Sequence, residues 1–213
     1  MTPEISLSRV DAESTRKQIQ KDDASNFEPR VARVQRTRLH RIIPHVWFDA
    51  ASTECRDMFR DGHFYGCICL SQSVAEGLAK FVLEVHRFKV GKQKRPIELC
   101  EKPGTGRQLI DWLRSLKSGL YNGQPMSVLS EKCLKAFACV EGGDRDDFHH
   151  LNKRVITDFT KLEKRAEECV AALYDIESEL FGFELTPGGL TPYRSEYWPD
   201  AGKEYGQVHL RSY

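Results

Sequence analysis

Residues 155–180 read VITDFTKLEKRAEECVAALYDIESEL, and in them Val155, Phe159, Leu162, Ala166, Cys169, Leu173, Ile176 and Leu180 fall at alternating steps of four and three. At 3.6 residues per turn those positions line one stripe, which predicts a long amphipathic helix whose seam must be covered by another helix. Lys161, Glu163, Lys164, Glu167, Glu168 and Glu177 lie between them and are assigned to a solvated opposite face.

Working back towards the N-terminus, Gly142-Gly143 closes a helix carrying Val128, Leu129, Cys133, Leu134, Phe137 and Val140. Leu109, Ile110, Trp112, Leu113 and Leu116 predict another before Gly119, followed by a turn over Tyr121-Asn122-Gly123-Gln124-Pro125. From His63 to about Phe88, apolar residues recur every three or four positions and predict a strong core helix. Within it Gly77 implies close approach of a neighbouring helix, Glu76 and Lys80 form a surface pair, and His86 suits the negative end of the dipole. A further helix with Cys55, Met58 and Phe59 is expected to begin at Ser52 or Thr53 and to break at Gly62.

Strand alternation and fixed-period repeats are not seen, so the expected fold is all-α: an antiparallel bundle of four or five helices with extended N- and C-terminal segments. The expected divisions are a polar and basic arm over 1–50, partly ordered, the helical domain over 51–184 and a tail over 185–213 rich in tyrosine, glycine and proline. Residues 1 to about 26 lack apolar periodicity and read as a mobile arm or one short helix. The aromatic cluster Pro44-His45-Val46-Trp47-Phe48 is expected to staple the arm down by burying its rings.

A length of 213 residues suits one folded domain with accessory segments. The net charge of +1 offers no overall attraction to nucleic acid, so any electrostatic partner must meet a local patch. Arg30, Arg33, Arg36, Arg38 and Arg41 form such a strip without an intervening acid, fit for phosphates, for an acidic protein surface, or for nothing more than solvation as a linker. Seven cysteines scattered through apolar stretches read as reduced core thiols; no metal or cofactor is expected. Apolar runs fall short of a membrane span and the N-terminus lacks a signal-peptide core, so a cytoplasmic protein is expected.

One cluster points to chemistry. Asp144-Arg145-Asp146-Asp147-Phe148-His149-His150-Leu151-Asn152 gathers a guanidinium, two imidazoles and an amide where the final helix begins, with Asp144 a natural N-cap. Arginine holds its charge at any biological pH and grips phosphate with a fork of donors; histidine exchanges a proton near neutrality. The aspartates alone are explained by the helix dipole. On an unbroken helix Arg145 and His149 share a face while Arg145 and His150 diverge by roughly 140 degrees; a later helix start makes His150 the partner, with His149 in reserve. Adjacent histidines point about 100 degrees apart, which disfavours a shared metal ion.

With four residues between Arg145 and His150, a polar Asp146 directly after the arginine, and a position between two core helices, the chain resembles the HEPN superfamily over about Ser52 to Phe183. The resemblance implies an HEPN-like helical bundle acting as a metal-independent endoribonuclease. His150 would serve as general base on a ribose 2′-hydroxyl, Arg145 would stabilise the phosphate, Asp146 and Asn152 would orient the pair, and His149 would protonate the leaving oxygen. It also implies a homodimer with two motifs facing each other, and a toxin or defence role as one setting. The competing expectation is a non-catalytic helical module that docks nucleic acid, a nucleotide or a protein partner, recruited by the N-terminal arm.

Overall fold

The computed structural model describes residues 12–37, 43–92, 94–97, 105–121, 124–142, 157–187 and 189–199. These are mostly helical. Helices α1 (Ala12–Arg36), α2 (Val46–Asp61), α3 (Phe64–Val85), α4 (Gly106–Ser115), α5 (Glu131–Glu141) and α6 (Phe159–Phe181) are accompanied by three antiparallel hairpins, one after α3, one after α4 and one after α6. The hairpins pair β1 (Lys89–Val90) with β2 (Arg95–Pro96), β3 (Lys117–Tyr121) with β4 (Gln124–Ser127), and β5 (Phe183–Thr186) with β6 (Gly189–Pro192). They correct the strand-free expectation.

The spacing that predicts α3 is also the spacing that buries it. Phe64, Cys67, Ile68, Ser71, Val74, Ala75, Leu78 and Val82 face inward, and the helix packs against α2, α4, α5 and α6. By length and composition α3 could cross a membrane, contrary to the sequence expectation, yet 56% of its most apolar window is buried against the rest of the protein. Phe48 lies over Gly77, where an added Cβ would start 3.1 Å from its ring, so the expected close approach is that of α2. Phe59, Phe64, Cys67, Ile68, Leu162, Ala166, Cys169 and Val170 form a second apolar cluster beside the main core.

α2 begins earlier than expected. His45 is its N-cap, Ser52 is buried inside it, and the Thr53 hydroxyl donates to Asp49 O. Gly62 ends it in the left-handed region at φ 86°, as Gly142 ends α5 at φ 58°, a conformation that favours glycine. Of the aromatic cluster, His45 packs 4.7 Å from Phe81 and 5.6 Å from Phe181, but Trp47 is 71% exposed and does not act as a staple.

The largest correction concerns the N-terminal arm, which is one 25-residue helix from Ala12. Its side chains from Glu13 to Pro29 are exposed, so no apolar stripe announces it. Pairs such as Glu13–Lys17 at 2.9 Å contribute only about 0.2–0.5 kcal/mol each. Docking of the C-terminal turns on α2 and α6 must supply the rest.

The described part of the segment after α6, up to residue 199, lies along the bundle. Leu190, Tyr197 and Trp198 are buried in the main core. His45 Nε2 lies 2.9 Å from Tyr197 O and His86 Nε2 lies 2.8 Å from the Tyr197 hydroxyl, so two histidines hold Tyr197, one at its carbonyl and one at its phenol. Burial lowers the pKa of His86, which caps the C-terminal end of α3 as its position in the sequence suggests, below its ordinary value.

Candidate functional site

α5 and α6 pack side by side, and the chain between them runs from Gly142 to Asp158, the residue whose carboxylate caps α6 through Lys161 N. Arg145, Asp146, His149, His150 and Asn152 all belong to that connection and lie outside the described residues, as does Asp144. The described residues fix the two ends of the connection.

The upstream end is clasped by a residue that sequence reasoning missed. Arg165 projects from α6 and donates to Cys139 O at 2.9 Å and to Val140 O at 3.1 Å. A buried guanidinium thus takes up carbonyls that the last turn of α5 leaves open, with its charge at the negative end of the dipole. Lys161 and Asp158, 4.0 Å apart, mark the downstream end.

Beside Gly142 opens a groove of about 370 Å³, lined by Arg107, Ile110, Asp111 and Arg114 of α4 and by Ala138, Glu141 and Gly142 at the end of α5. Arg107 and Arg114 are seven residues apart and share a face of α4. Asp111 lies between them, 3.4 Å from Arg114 in an exposed pair. Arg107 has no ion pair among the described residues. Glu141 reaches across to the start of α4, where a Cβ on Gly106 would begin 1.9 Å from its Oε2. Thr105 and Gln108 close a capping box at the same end.

The arginine strip turns inward. Arg33 is buried, donating to Arg60 O at 3.1 Å and to Glu163 at 3.3 Å, with its guanidinium 5.1 Å from the Phe64 ring. Arg36 meets Glu163 at 2.5 Å and Glu167 at 3.0 Å, and Arg30 pairs with Asp23 at 3.0 Å and Asp61 at 3.1 Å. These three arginines tie α1 to α2 and α6, while Arg38 and Arg41 lie outside the described residues. Glu163 and Glu167, assigned from sequence to a solvated face, therefore pair with α1 across a partly exposed contact.

Glu177, also assigned to that face, is fully buried and meets Arg56 at 2.5 Å across the α2–α6 contact. Nearby, burial pushes the Cys55 thiol up to about 12, and the Cys67 and Cys133 thiols are raised as well, so none of them offers a thiolate nucleophile at neutral pH. Among the described residues no three His, Cys, Asp or Glu side chains converge as metal ligands. Comparison with protein-family models, curated proteins and solved structures gave no match to the chain.

Proposed function

We propose that the chain is a metal-independent endoribonuclease of the HEPN type, with a helical bundle carrying its motif. The reading is carried by Arg145-Asp146-Asp147-Phe148-His149-His150, an arginine and a histidine with four residues between them in the connection of two core helices. Support comes from the surroundings of that connection: α5 is held at its last turn by Arg165, and the adjoining groove carries Arg107 and Arg114. In the reaction His150 takes the proton of a ribose 2′-hydroxyl, whose oxygen attacks the adjacent phosphorus. The P–O5′ bond breaks, His149 returns a proton to the leaving oxygen, and a 2′,3′-cyclic phosphate remains. Arg145 balances the charge that grows on the phosphate, with Asp146 and Asn152 as orienting groups and a second copy of the chain completing the site. DNA, lacking the internal nucleophile, is spared.

Purified protein in chelator should convert labelled RNA to products with cyclic phosphate ends. Arg145→Ala and His150→Ala should each abolish this without loss of helical circular dichroism. Undiminished cleavage in both variants refutes the proposal.

The second reading, a non-catalytic helical module that docks nucleic acid, a nucleotide or a protein, is favoured by Asp144, Asp146 and Asp147, whose charges surround Arg145 and oppose an RNA backbone. Its recruiting strip is weakened by the commitment of Arg30, Arg33 and Arg36 to carboxylates of the same chain. Salt-sensitive RNA binding without any cleavage would select it.

A further inference from the structure

We propose that the α4–α5 groove seats one nucleotide of a single-stranded RNA, the phosphates on its two sides against Arg107 and Arg114 and its sugar hydroxyls or base edge against Asp111 and Glu141. The choice of RNA as the polymer rests on the nuclease reading; the groove itself is built from residues outside the motif. At about 370 Å³ it falls within the range of small-ligand sites. Its floor includes Ile110 and Ala138, apolar surface on which a base can lie. The rim supplies both kinds of group that a nucleotide needs: guanidiniums for the anion, and carboxylates that accept from N–H and O–H donors.

Among the described residues no carboxylate pairs with Arg107, and the Asp111 contact to Arg114 is long and exposed. Two turns of α4 place the two arginines about 10 Å apart along the axis, so both can meet one extended strand. Glu141 is kept at the groove wall because Gly106 presents no side chain there. In the sequence, Gly142 at the end of the groove stands three residues before Arg145. A duplex, with its base faces stacked away, cannot use the apolar floor.

The test titrates a fluorescent RNA hexanucleotide, in chelator, into the full chain carrying His150→Ala to prevent cleavage. Arg107→Glu combined with Arg114→Glu should weaken binding about tenfold or more and flatten its salt dependence, whereas Arg16→Glu on the exposed face of α1 should change neither. Adenosine monophosphate and inorganic phosphate should compete only weakly. Unchanged RNA affinity in the double variant overturns the assignment, as does absence of RNA binding. Adenosine monophosphate binding as tightly as the hexamer would make the groove a free-nucleotide site, and capture of an acidic peptide in preference to RNA would make it a protein-docking site; either overturns the proposal. RNA bound through the groove but never cut by the unaltered chain would refute the nuclease reading alone. Cleavage by the double variant with an unchanged KM would refute the groove alone.

Discussion

Arg56 and Glu177 meet at 2.5 Å with the carboxylate fully buried, and neither Arg56 Nη1 nor Ser52 Oγ has a hydrogen-bond partner among the described residues. Desolvating two charges offsets much of their attraction, so such a pair is costly mainly when half of it is removed. Arg56→Met should lower the unfolding free energy by about 3–5 kcal/mol by leaving Glu177 buried without its counter-charge, while Arg56→Met with Glu177→Leu should recover most of that loss. Urea denaturation of the two variants decides; equal losses would show that packing, and not the stranded charge, sets the cost. His86 makes a second residue-scale prediction. Burial, reinforced by Arg194 and opposed by Glu196, holds its folded-state pKa below the ordinary 6.5. The unfolded chain therefore takes up a proton at a higher pH than the folded one, and this residue's contribution makes stability fall as pH drops below 6.5 towards the lowered value. His86→Gln, which keeps an acceptor for the Tyr197 hydroxyl, should melt with a shallower loss over that interval. An identical slope in both proteins would refute the assignment.

Helices with an apolar stripe were readable from their residues, and those without one were not. α3, α5 and α6 follow their three- and four-residue spacing, and Gly62 and Gly142 end helices where glycine is favoured. α1 has no stripe because its side chains from Glu13 to Pro29 face solvent; its evidence lay in three arginines whose carboxylate partners are 130 residues away in the chain for Arg33 and Glu163. β1 and β2 are two residues each, too short to show alternation, and β4 contains Pro125. Glu177 was misassigned by its charge, yet at 100 degrees per residue it stands only about 40 degrees from Leu173 and 60 degrees from Leu180, on the flank of the stripe. Arg165, about 60 degrees from Leu162 and 40 degrees from Cys169, gave the same signal. Two glycines test packing at this scale. A Cβ at Gly182 would begin 2.4 Å from the Ser178 carbonyl oxygen, a backbone atom, whereas at Gly66 it would meet the flexible end of Met58 at 2.9 Å. Gly182→Ala should therefore cost about 1–3 kcal/mol, and Gly66→Ala, helped by helix propensity, less than about 1 kcal/mol. Thermal unfolding checks the order, and a reversed ranking would refute it.

Across the whole molecule, α1 is joined to the core by its last turns and by the Arg33–Glu163–Arg36 group. Arg33 is the buried member, so Arg33→Ala should raise amide hydrogen exchange throughout α1 while leaving the buried part of α3 protected. Equal acceleration in both helices would mean that α1 and the core unfold as one unit. The candidate motif was legible only as a short run of residues, Arg145 to His150, which lies outside the described ones. Its supporting parts were not: Arg165 acts on backbone carbonyls, which leave no pattern in sequence, and the α4–α5 groove joins residues 107–114 to residues 138–142 only through packing.

The Arg165 clasp has a mechanical consequence. With the last carbonyls of α5 gripped by α6, residues 143–156 leave from a point that their own composition does not set. The direction in which α5 ends is thus set by its contact with α6. Loss of the clasp would leave two carbonyls of that turn, Cys139 O and Val140 O, without the donors that now fix it.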